Sequence, residues 1–138
     1  MLKSEKGSVI ITAPIITVAM FFIIAVTIVI AIEVIKPFII YEKISSLALK
    51  YIFIMEEYGY LNELEKNNLI NELENKGLDR GDVVVLGNTT KQDYGEQISL
   101  KIEYNFESRL YKITNKFALD KREAVIPIVI EKKSFSKT

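Results

Sequence analysis

Few residues in this chain could do chemistry. Histidine and cysteine are both missing, which removes the commonest general base and metal ligand together with the thiol nucleophile. A catalytic site would have to use Ser, Lys, Tyr or carboxylates. No nucleophile elbow, phosphate-binding loop or dinucleotide fingerprint is present. Ser45 and Ser46 fall inside a helical pattern with no base beside them, and read as small packing or solvated residues. Glu56 and Glu57 are adjacent, so a helix points them about 100° apart. Asp79 and Asp82 flank a turn, but a hard cation wants about six to eight oxygens and this stretch lacks that spacing. Asn88-Thr89-Thr90 has the form of a glycosylation sequon, and Arg80-Gly81-Asp82 is a tripeptide that occurs by chance. The expectation is a non-enzymatic protein with no catalytic residue, no cofactor, no metal site and no small-molecule substrate.

What stands out instead is an absence of charge. Ser8 to Ile32 is a run of 25 residues without one charged side chain. A spanning helix needs about 20 apolar residues, because the hydrocarbon core is about 30 Å thick and a helix rises about 1.5 Å per residue. A single spanning segment must satisfy its backbone internally, which leaves the helix as its form. Pro14 falls in the first turns, where its disruption is limited. A cleaved secretory signal has a shorter apolar region, about 7–15 residues, and ends in small-x-small. This run is longer and has no such ending, so it reads as an uncleaved signal anchor or as a helix processed only at its front edge. Lys3, Lys6 and the amine precede the run, and Lys36 and Lys43 follow it. The positive-inside count therefore favours, narrowly, an inner N-terminus and an outer C-terminal part.

The 106 residues after Ile32 suffice for one small domain. They carry 16 basic and 17 acidic residues, which leaves no electrostatic footprint for nucleic acid. The absence of cysteine excludes a disulfide scaffold. The expected organisation is a basic leader over 1–7, a transmembrane helix over 8–36 and an extracytoplasmic α+β domain over 37–138.

The elements of that domain can be read in order. Glu33 and Lys36 mark the exit from the bilayer, with Glu33 a snorkelling or Lys36-paired charge. Pro37 predicts a bend, after which Ile40, Ile44, Leu47, Tyr51, Met55 and Tyr58 recur at helical spacing to an end near Gly59. Ile39, Leu49, Ile52 and Phe53 widen the apolar surface, and Leu49, Ile52 and Phe53 are the candidate partner surface. A second helix opens on Asn62 with Glu65 three residues on. It buries Leu64, Leu69, Ile70 and Leu73 and ends at Lys76-Gly77, with Leu78 placed to touch Leu73. The period then changes to two. Val83–Leu86 is a short strand, and Asn88–Gly95 is a polar loop. From Gln97, the residues Ile98, Leu100, Ile102, Tyr104 and Phe106 alternate with polar ones in a half-buried strand. Leu110–Thr114 is a weaker strand, Asn115–Arg122 a turn or loop, and Val125–Ile130 an edge strand because of Pro127. Lys132 and Lys133 blunt that edge, and Ser134–Thr138 reads as a loose tail. The fold class is α+β, a long N-terminal helix, a short second helix and an antiparallel sheet of three to four strands.

This layout resembles a known family. A short basic leader ending in Lys6-Gly7 runs into an apolar helix, then an amphipathic one, then a sheet strand with Gly95, Ile98, Ile102, Tyr104 and Phe106. It is similar to pilin-like proteins, and among them to the TadE-like minor pilins, or pseudopilins, of the tight-adherence pilus. The resemblance implies that a prepilin peptidase cuts between Gly7 and Ser8. It also implies partners among other pilin-like or secretion-apparatus subunits. The family usually places a glutamate five residues after the cut, to neutralise a neighbouring subunit's amine; here that position is Thr12. Thr12 and Glu33 are the candidate helix-assembly residues. The expected function is a pilin-like structural or minor subunit of a surface pilus or secretion apparatus, in the cytoplasmic membrane or a surface filament. The alternative is a permanently anchored single-pass scaffold of a secretion or conjugation complex. In both, membrane lipid is a partner.

Overall fold

The computed structural model describes residues 2–109 and 125–138, with side chains from Ile11 onward. The strand expected at Leu110–Thr114 and the turn at Asn115–Arg122 lie outside the described residues. The elements run in order as helix α1 (Leu2–Tyr58), helix α2 (Glu63–Asn75), a 3-10 turn (Arg80–Asp82) and strands β1 (Val83–Gly87), β2 (Gln97–Glu107) and β3 (Val125–Phe135). The chain forms two compact units, Met1–Ile35 and Lys36–Thr138. The class is α+β, with one three-stranded antiparallel sheet in the order β1-β2-β3.

The first unit is helix alone. Its large apolar side chains from Ile11 to Ile32 are all exposed, because a lone helix has nothing to fold against. Two hydroxyls in it bond to their own backbone: Thr17 Oγ1 donates to the Ala13 carbonyl at 2.9 Å and Thr27 Oγ1 to the Ile23 carbonyl at 2.8 Å. Such i−4 bonds satisfy a hydroxyl without water.

The second unit holds the core. α1 contributes Ile44, Leu47, Ala48, Tyr51, Ile52 and Met55, α2 contributes Leu69 and Leu73, and the sheet adds Val85, Ile98, Leu100, Ile102, Ile128 and Ile130. Pairing of Ile102 with both Val85 and Ile130 puts one apolar residue of every strand on the same row of the inner face. Alternation along β2 follows from the pleat, since successive side chains point to opposite faces. The outer face carries Lys101, 2.6 Å from Glu103 and directly across the ladder from Glu131.

Local signals place the ends of α2. Asn62 Oδ1 accepts from the Glu65 amide at 2.7 Å, closing the N-terminus. At the other end the Gly77 amide donates to the Glu74 carbonyl and the Leu78 amide to the Leu73 carbonyl, with Gly77 at φ +89°. That is a Schellman cap, and both Leu73 and Leu78 are buried. α1 also ends on a left-handed glycine, Gly59 at φ +79°, but with the single bond of the αL motif: its amide donates to the Met55 carbonyl at 2.7 Å.

Several expectations need correction. Leu64 is 69% exposed, so the buried side of α2 is Leu69 and Leu73 with Ile70 half-buried. Leu64 sits in the first turn, ahead of the part of the helix that meets the core. Tyr58 is exposed and Ile40 only half-buried, because the sheet covers the middle of the stripe and not its ends. β3 continues five residues past Ile130, since its register on β2 runs from Val125 opposite Glu107 to Phe135 opposite Gln97. The segment after it is not loose: Ser136 is buried, its amide donates to the Glu96 carbonyl, and the Lys137 amide donates to the Glu56 carbonyl.

The two capping glycines should differ in tolerance. A Cβ on Gly77 meets no atom within 4 Å, whereas one on Gly59 would sit 2.7 Å from the Gln92 carbonyl oxygen. Gly77→Ala is expected to destabilise by about 1 kcal/mol through backbone strain alone. Gly59→Ala should cost about 2 kcal/mol or more, because strain and overlap add. Urea titration of the detergent-solubilised protein, followed by near-ultraviolet tyrosine dichroism, measures both.

Candidate functional site

Two kinds of surface compete for a functional role: polar clusters that could do chemistry, and apolar faces that could bind. The polar clusters resolve into structural links. Glu56 is buried near the end of α1. One of its carboxylate oxygens accepts from the Ser134 hydroxyl and the other faces the Lys137 ammonium. Lys137 and then Ser134 hold the Glu56 carboxyl below the usual carboxylate range, and the same contact pushes the Lys137 ammonium up. Ser134-Phe135-Ser136-Lys137 has the S-x-x-K spacing of serine–lysine nucleophile pairs, although no such motif was expected from the sequence. Here the lysine is kept protonated by a carboxylate and is not bonded to the serine, so the arrangement is a latch between α1 and the end of β3 with the segment after it.

A second link joins the helices. Glu72 of α2 accepts from Lys50 Nζ and from the Tyr51 hydroxyl, both at 2.7 Å. The Lys50 bond first, then the Tyr51 bond, lower the Glu72 pKa. Burial, then the bond to Glu72, push the Tyr51 phenol well above its ordinary value. Tyr51 was read only as a stripe residue, and neither Lys50 nor Glu72 was singled out from sequence. Lys50 and Glu72 are 22 positions apart, and no local pattern announces such a pair.

The remaining polar candidates are also structural. Asp79 Oδ1 accepts from the Gly81 amide at 2.9 Å, capping the 3-10 turn. Asn88 Oδ1 accepts from the Ser99 amide at 2.7 Å while its carbonyl accepts from Leu61, so the sequon asparagine braces a loop. Among the described residues no three acidic, His or Cys side chains gather as metal ligands would.

The apolar faces are more extensive. α1 is the one described helix long and apolar enough to cross a membrane. Gly7, Ser8 and Thr12 all lie within its helical backbone, and Thr12 is exposed. Glu33 is half-buried and takes part in a polar interaction. Of the expected partner surface, Leu49 and Phe53 are 47% and 54% exposed, but Ile52 is 3% exposed and belongs to the core. Ile52 follows Ala48 by four and precedes Met55 by three, which puts it on the covered stripe; Leu49 and Phe53 form the neighbouring uncovered row.

Two expected outcomes test these assignments. Glu56 and Glu72 have folded-state pKa values below their ordinary value of 4.5, so their contributions are complete above that value and fade as pH falls below it. Glu56→Gln should therefore flatten the loss of stability on acidification, read as urea midpoints across an acid pH series. Phe53→Glu should leave the urea midpoint within about 0.5 kcal/mol of the parent, as exposed substitutions usually do. Ile52→Glu should unfold the second unit by burying an unpaired charge.

Compared with protein families, curated proteins and solved structures, the chain matches none, so the functional reading rests on its own geometry.

Proposed function

We propose that this protein is a single-pass membrane protein of pilin-like design, a structural or minor subunit of a surface pilus or secretion apparatus. The observation that carries the reading is α1. One helix, Leu2–Tyr58, has an apolar part with no protein cover and a later part that packs on an antiparallel sheet. The apolar part resides in the bilayer and is available to pack against equivalent helices of other subunits. The exposed row of Leu49 and Phe53 continues that apolar character on the sheet-bearing unit, as a contact for neighbouring subunits. The N-terminus lies inside and the sheet-bearing unit outside.

A second reading has an observation of its own. Thr12 stands where pilin-like proteins usually carry the assembly glutamate, which favours a helix that never leaves the bilayer. The protein is then a permanently anchored scaffold of a secretion or conjugation complex, and Leu49 and Phe53 face its partner.

Intact mass of the protein isolated from its native cells separates the two. The pilin-like reading expects a mature chain beginning at Ser8, present in sheared surface filaments, and blocked processing in Gly7→Ala. A full-length chain found only in the detergent-soluble membrane fraction, unaffected by Gly7→Ala, overturns that reading in favour of the scaffold.

A further inference from the structure

The outer unit carries an apolar groove with a volume of about 420 Å³, lined by Pro37, Phe38 and Tyr41 of α1 and by Pro127, Ile128 and Val129 of β3. Among the described residues none that lines it is charged. Phe38 is 68% exposed, and Tyr41 and Val129 are about half exposed. The sheet is asymmetric along β3: Val125–Ile130 carries no charge, and Glu131, Lys132 and Lys133 follow together. The apolar half is the half that meets Phe38 and Tyr41.

The geometry points to this groove as a lipid contact, a seat at the headgroup–acyl boundary that holds the outer unit down on the bilayer in which α1 is anchored. The inference rests on the membrane anchoring proposed above. Three observations favour lipid as the occupant. First, Phe38 is six residues beyond Ile32, the last residue of the uncharged run. The chain therefore cannot carry it more than about 20 Å from the end of that run, whatever path it takes. Second, the lining is the chemistry of the membrane–water boundary, where aromatic rings with an apolar body and a polar tip collect; Tyr41 has that character and Phe38 adds to its apolar bulk. Third, the groove is small. Among the described residues six line it, whereas a stable protein interface uses about 20–30 a side. A surface tethered beside a bilayer needs little intrinsic affinity, because the tether keeps its local concentration high.

The chain contains no tryptophan, so a single introduced one reports its own surroundings. The full-length protein, carrying Val129→Trp, is reconstituted into vesicles of phosphatidylcholine and phosphatidylglycerol with brominated acyl chains. The expected result is emission shifted to shorter wavelength, with quenching strongest when bromine lies near the headgroup end of the chain. Leu86→Trp, on the outward face of β1, is expected to stay long in wavelength and unquenched by bromine. An additional substitution, Phe38→Asp in the Val129→Trp protein, should abolish the quenching. Quenching of Val129→Trp by aqueous iodide but not by brominated lipid overturns the proposal. A short-wavelength emission insensitive to both also overturns it, because protein then covers the groove. Phe22→Trp tests the anchor itself: quenching by deep bromines with an unquenched Val129→Trp rejects the lipid seat while leaving the membrane anchor intact.

Discussion

Fourteen large apolar side chains between Ile11 and Ile32 stand exposed on α1, and the need to cover them is the main physical constraint on this helix. Moving each out of water is worth about 1 kcal/mol or more. Together they equal or exceed the whole stability of a typical domain, about 5–15 kcal/mol. The core of the second unit is built from described residues from Ile44 onward, and the first part of α1 needs an apolar cover of its own. Lipid chains and the apolar helices of a partner protein are both chemically suited to supply it. Thr17 and Thr27, bonded to their own helix, add no unmet polar group to this surface, so it suits either cover.

The same helix changes its requirements after Lys36. From Ile44 on, one stripe faces a core and the rest faces water, and that stripe is where the sheet and α2 attach. Apolar burial alone would allow these parts to slide, since it is non-directional. Directional bonds fix the arrangement. Glu72 ties α2 to Lys50 and Tyr51, Glu56 ties α1 to Ser134 and Lys137, and Asn88 ties the loop before β2 to both Leu61 and Ser99. Glu56 is the most consequential because it is buried. Removing either partner would leave a carboxylate in a site that water does not easily reach.

Legibility from sequence followed the range of the interaction. The caps of α2 at Asn62 and Gly77, the end of α1 at Gly59 and the alternation of β2 were readable, because each is decided within a few residues. What depends on distant partners was not. Glu56 meets Ser134, 78 positions away, and nothing near Glu56 distinguishes it from exposed Glu57. Lys132 and Lys133 looked like edge protection and Ser134–Thr138 like a loose tail, yet pairing with β2 carries the strand on to Phe135, with Lys132 and Ser134 half-buried on the inner side. Ile52 was assigned to an outer surface because periodicity gives the width of an apolar stripe and not what packs on it. Two layers, α2 and the sheet, cover more of the helix than one would.

The absence of an acid at Thr12 has a physical consequence for any assembly built on α1. If the chain is cut before Ser8, a new charged amine is created at the edge of an apolar surface. A charge of that kind is tolerated at a lipid boundary, where it reaches water and anionic headgroups. Inside a bundle of apolar helices it needs a counter-charge, and from Ser8 to Ile32 the helix offers none. The sequence of α1 therefore ranks its possible environments. A bilayer accepts the helix with or without processing. A filament core accepts the processed form only where a different subunit brings the carboxylate, which suits a minor subunit among unlike neighbours better than a filament made of this chain alone.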